Sequence, residues 1–89
     1  MKVEENVYLC KLFDAYGALL SSGQREILSL YLNDDLTLSE IAENLKISRQ
    51  AARDSITKAE IKLKSFEEKL CFLKKLEKLE KEIESLKSK

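Results

Sequence analysis

Proline, histidine and tryptophan are absent from these 89 residues, and glycine occurs only at Gly17 and Gly23. Without proline, no covalent helix breaker stands anywhere in the chain. Without histidine, the side chain that titrates near neutral pH and most often ligates metals is missing, so zinc sites and His-based acid–base catalysis are unsupported. The two cysteines, Cys10 and Cys71, lie far apart and form no CxxC pair. They read as small core residues of a reducing compartment. No apolar run is long enough to cross a bilayer. The N-terminal MKVEENVYLCKLFD mixes acids with its apolar residues, unlike a signal peptide. The expectation is a cytoplasmic protein without membrane insertion.

Catalytic patterns are missing too. There is no Gly-rich phosphate loop, no nucleophile elbow and no Ser/His/Asp set, and no catalytic residue, metal or cofactor is expected. Glu4-Glu5 and Glu67-Glu68 are adjacent in sequence, so on a helix they diverge and read as solvated charge. Asn33-Asp34-Asp35 reads as a polar turn, because a calcium loop needs spaced ligands and a glycine. Net charge is also lacking, since 16 basic residues balance 16 acidic ones. DNA-binding domains usually carry a basic excess.

What is present is leucine, lysine and glutamate, with 36% of residues charged. That composition predicts an all-α fold in one small domain, whose thin core invites self-association. Residues 4–20 read as a first helix, with Val7, Cys10, Phe13 and Leu20 near one stripe and Leu9, Leu12, Tyr16 and Leu19 widening it. Ser21 and Gln24 have capping-box spacing before a second helix over about 22–32, whose buried side is Ile27, Leu28, Leu30 and Tyr31.

Residues 37–60 carry the most informative pattern. Thr37 and Glu40 form another capping box, and Ile41, Ala42 and Leu45 follow on one face. Lys46-Ile47-Ser48 interrupts, with Ile47 expected to point inward and Ser48 to cap the next helix. That helix sets Ala52, Ile56 and Ala59 on one side and Arg49, Gln50, Arg53, Thr57 and Lys58 on the other. Small Ala42 and Ala52 allow close approach, and a helix-turn-helix results. Charge gathers here, since residues 37–65 hold six basic against four acidic side chains.

From Arg49 to Lys87 no breaker appears, and a straight helix would reach ~58 Å. Leu63, Phe66, Leu70 and Leu73 recur at steps of 3, 4 and 3, as do Leu76, Leu79, Ile83 and Leu86. Either the helix bends back near Ser65 to Lys69 or its tail meets another chain. The repeated seam predicts a homodimer through Leu70, Leu73, Leu76, Leu79, Ile83 and Leu86. Residues 1–65 read as the helical domain and 66–89 as an amphipathic tail belonging to it.

At Gln24-Arg25-Glu26, Leu38-Ser39-Glu40-Ile41-Ala42-Glu43 and Ile47-Ser48-Arg49-Gln50-Ala51-Ala52 the chain resembles the YlxM family of candidate bacterial DNA-binding proteins. That family in turn looks like region 4 of bacterial sigma factors. The resemblance implies a sigma-like recognition helix with Arg49, Gln50, Arg53 and Thr57 toward DNA. It also implies a regulatory role and a link to the signal recognition particle pathway. The turn departs from many such motifs in holding Lys46 where glycine is common. On this reading Arg49 or Arg53 meets guanine edges, Gln50 pairs with adenine, and Ser48 and Lys58 hold phosphates. The alternative is a protein-interaction module that keeps the fold, binds no DNA and works through its apolar helices.

Overall fold

The computed structural model describes residues 3–88, with side chains from Asn6 onward; Glu4 and Glu5 therefore lie outside the described side chains. Five α-helices follow in order: α1 (Val3–Tyr16), α2 (Ser22–Leu32), α3 (Leu38–Leu45), α4 (Arg49–Leu70) and α5 (Phe72–Lys87). A turn of 3₁₀ helix, Gly17–Leu19, follows α1. The described residues contain no strand, and the protein is a small all-α bundle.

Local chemistry sets most of the helix starts. Ser21 Oγ accepts from the Gln24 N–H while Gln24 Oε1 accepts from the Ser21 N–H, so the capping box before α2 is complete. Thr37 and Glu40 repeat the arrangement before α3. The Thr37 N–H bond holds the Glu40 carboxyl below its ordinary range. Residues 33–35 form the turn between α2 and α3, with Asp35 in the left-handed region at φ 55°.

The core gathers one face from each of the first four helices and the start of the fifth. Leu9, Leu12, Tyr16 and Leu20 meet Ile27 and Leu28, Ile41 and Ala42, and Ala52, Ile56, Ala59 and Leu63, with Leu73 closing one end. The face α1 buries is rotated from the expected stripe. Val7 and Leu19 are exposed, Cys10 is half-buried, and Leu9, Leu12 and Tyr16 lie inside. This helix is apolar around much of its circumference, so periodicity alone leaves its orientation open, and packing on α4 decides it. In the turn after α1, Gly17 lies close beneath an aromatic ring. A Cβ at Gly17 would lie 3.2 Å from the Phe13 ring, tighter than ordinary contact. Both cysteines are free and half-buried, so neither is the fully buried residue expected.

The long C-terminal helix is broken just beyond the Ser65 to Lys69 stretch where a bend was one of two expectations. Cys71 takes φ 53° and ψ 29°, ending α4 two residues beyond Lys69. Its N–H returns to the Glu67 carbonyl, which is a left-handed cap. Such a cap leaves the leading N–H groups of α5 needing acceptors. The Tyr16 hydroxyl accepts from Phe72 N–H at 3.0 Å, and the Glu67 carboxylate accepts from Leu73 and Lys74 N–H at 3.0 and 3.3 Å. Tyr16 donates to Glu67 Oε1 at 2.6 Å, which joins α1 to both sides of the elbow. The Tyr16 ring lies 6.0 Å from Phe66 and 6.5 Å, edge-on, from Phe72. Glu67 is thus a cap for α5 and not the solvated charge expected of it.

Burial pushes the Glu67 carboxyl up. Hydrogen bonds from Tyr16 and the two N–H groups outweigh that, and the charge of Lys74 adds to them, so the group titrates below its ordinary 4.5. Burial and the Glu67 hydrogen bond raise the Tyr16 phenol above its ordinary 10.0. A depressed carboxyl stabilises the fold fully above its unfolded value and loses that contribution as pH falls through the folded one. The raised phenol contributes below its unfolded value and loses this as pH rises through the folded one. We expect Glu67→Gln to lower the urea midpoint at neutral pH. It should also show a smaller further loss than the wild type as pH falls from about 6 to about 3. Urea titrations followed by circular dichroism across that range check both.

Candidate nucleic-acid interface

The helix-turn-helix is formed by α3, the turn of residues 46–48 and α4. Lys46 takes φ 57° and ψ 45° at the end of α3. The Ile47 N–H reaches the Ala42 carbonyl at 3.0 Å and the Lys46 N–H reaches the Glu43 carbonyl at 3.4 Å, the paired bonds of a Schellman turn. Lysine stands where the backbone favours glycine, so the turn is strained. Ile47, expected inside, lies at the surface at 38% exposure, because the Schellman turn carries it past the end of α3. Ser48 Oγ then accepts from the Ala51 N–H at 3.0 Å and caps α4. Ala42 and Ala52 are both buried, so the two helices approach through small side chains.

With Ala52, Ile56 and Ala59 inside, Arg49, Gln50, Arg53, Thr57 and Lys58 are all exposed on the rest of α4, and Ser48 is exposed at its start. The cap occupies one acceptor site of the Ser48 oxygen and leaves its O–H available to donate. The Arg49 and Gln50 N–H groups begin α4, where the helix dipole favours an anion. Periodicity did not suggest how Gln50 is held. Its Nε2 donates to Asp54 Oδ1 at 2.9 Å, so the amide is already oriented by an acid one turn along. Gln50 and Asp54 stand four residues apart, and that spacing is the signal by which the pair could have been found. Ile61, 63% exposed, also went unnoticed. Lys62 leans back to Gln24 on α2, with 3.4 Å between Nζ and Oε1.

The tail residues separate into two groups. Leu73 is buried in the chain's own core at 8% exposure, so it leaves the outward seam. Leu70, Leu76, Leu79, Ile83 and Leu86 are exposed. Phe72 joins them, a residue missed because the steps were counted through Leu73. Among the described residues no cluster of His, Cys, Asp or Glu could hold a metal ion, and no helix is long and apolar enough to cross a membrane.

A capped three-residue turn, a close α3–α4 crossing and an exposed polar face on the second helix together define a helix-turn-helix protein. The chain belongs to the family described as "Putative helix-turn-helix protein, YlxM / p13 like", which it matches over residues 3–89. It is 46% identical over 77 residues to UPF0122 protein YlxM of Bacillus subtilis (strain 168), covering 86% of this chain and 70% of that one. A UPF0122 protein of Caldanaerobacter subterraneus subsp. tengcongensis is 43% identical over 84 residues, covering 94% and 72%. One from Bacillus licheniformis is 43% identical over 86 residues, covering 97% and 80%.

The turn makes two opposed stability predictions. Lys46→Gly should raise unfolding free energy by about 0.5–1 kcal/mol, since relief of the left-handed strain exceeds the entropy that glycine adds. Ser48→Ala should lower it by ~1 kcal/mol through loss of the cap. Urea unfolding of each variant measures the difference.

Proposed function

We propose that the protein is a DNA-binding regulator that reads duplex DNA with the outward face of α4. The observation supporting this is the capped turn, which presents Arg49, Gln50, Arg53, Thr57 and Lys58 together on one exposed helix face. Arg49 and Arg53 supply the donors suited to guanine edges, and Gln50 suits adenine once released from Asp54. Lys58, the Ser48 hydroxyl and the first N–H groups of α4 suit phosphates. A single recognition helix covers few base pairs, so useful specificity calls for two copies, paired through the exposed apolar residues of α5. The sigma region 4 likeness supports the same docking mode by analogy.

A second reading is favoured by Asp54 standing within that face and bonded to Gln50, alongside a net charge of zero. Here the fold serves as a protein-interaction module and binds no DNA. A component of the signal recognition particle pathway is the partner that the family resemblance suggests.

Fluorescence anisotropy with mixed-sequence duplex DNA, at low and at physiological salt, separates the two. The DNA reading expects binding that weakens steeply with salt. It also expects Arg49→Glu with Arg53→Glu to weaken binding by at least ~30-fold with the helical signal intact. Equal binding by wild type and variant removes α4 as the reading element. No binding by wild type at low salt leaves the interaction module in its place.

A further inference from the structure

The exposed apolar residues of α5 form a more regular series than the sequence runs show. Phe72, Leu76, Leu79, Ile83 and Leu86 follow one another at steps of 4, 3, 4 and 3, and all are between 39% and 70% exposed. That is an unbroken heptad seam, with Leu76 and Ile83 at a positions and Phe72, Leu79 and Leu86 at d positions. Leu73, which interrupted the pattern, is committed to the core. The seam begins where the elbow restarts the helix, so α5 has its own cap and register, and the Lys11–Glu77 ion pair at 4.0 Å keeps its first turns beside α1.

The flanking charges identify what covers this seam. With this register, Lys75 and Glu82 occupy g positions and Glu80 and Lys87 occupy e positions. In a parallel pair each g residue meets the e residue five positions on in the other helix. Lys75 then faces Glu80 of the second copy and Glu82 faces Lys87 of the second copy, and symmetry repeats both. Every such contact is between opposite charges. An antiparallel pair that layers Leu76 on Leu86 and Leu79 on Ile83 brings Glu80 beside Glu80 and Glu82 beside Glu82 at its centre. Ile83 at a, between Leu79 and Leu86 at d, also favours two strands over three or four.

We infer that α5 is one strand of a parallel, in-register, two-stranded coiled coil whose other strand is the α5 of a second copy, with direction set by the Lys75–Glu80 and Glu82–Lys87 pairs. This rests on the tail pairing in the proposed function and specifies its geometry. A parallel pair puts the two α4 helices on either side of one dyad, which suits a palindromic site.

Charge exchange and cross-linking test it on the full chain by sedimentation equilibrium. Glu80→Lys with Glu82→Lys places like charges at every g–e contact, and so does Lys75→Glu with Lys87→Glu. Each variant alone should sediment as one chain, while an equimolar mixture should sediment as two. In a Cys10→Ser, Cys71→Gly background, Leu86→Cys should form a disulfide-linked dimer under mild oxidation. An antiparallel pair holds those sulfurs ~15 Å apart along the axis. A wild-type mass of two chains with no Leu86→Cys disulfide, or with the Glu80→Lys, Glu82→Lys variant still self-paired, overturns the parallel seam and leaves self-association standing. A wild-type mass of one chain overturns both.

Discussion

The hydrogen bond from Tyr16 to Glu67 is the contact on which the arrangement of helices depends. It is one bond between residues 51 positions apart, yet three helices meet there. Tyr16 ends α1, Glu67 lies in the last turns of α4, and both supply acceptors to the start of α5. A buried phenol needs a partner for its hydroxyl, and a new helix needs acceptors for its leading N–H groups. Each need is met by the other. The carboxylate also lies at the positive end of the α5 dipole, which favours its charged form.

The opposite end of α4 packs on α3 and carries the face proposed to read DNA. The core face of α4 runs from Ala52 to Leu63 and fixes the rotation of the helix about its axis. That rotation turns Arg49, Arg53 and Lys58 to solvent without any contact dedicated to holding them out. The hydrogen bond between Gln50 and Asp54 on that face lowers the amide's freedom while adding a negative charge beside two arginines. The face therefore has a mixed character, with weaker long-range attraction for phosphate than a uniformly basic surface.

What was legible in the sequence follows the range of the interaction involved. The two capping boxes and the Ser48 cap act across three residues, and local spacing was enough to find them. The inward set Ala52, Ile56 and Ala59 followed from helical period, and so did the outward direction of the arginines. The rotation of α1 did not, because a helix apolar on most sides needs its neighbours to choose a face. A bend in the long helix followed from its length, but its place at Cys71 was illegible for a sharper reason. Nothing near it is a breaker, and the groups that stabilise it come from Tyr16, far away in sequence, and from Glu67, which looked like one of many surface acids. Reading the tail through Leu73 instead of Phe72 was the same error, because only the break sets the register of α5.

The left-handed residue at the elbow has a mechanical consequence. A cysteine gains nothing intrinsic from φ 53°, and the residues around it favour helix. The bend is therefore imposed from outside, and the chain's local preference is to straighten. If the phenol and the carboxylate release it, α4 and α5 fuse into one rod, and helical content rises while compactness falls. Damage at this joint would therefore not lower a helicity measurement, and its mark would be a longer, more slowly diffusing molecule.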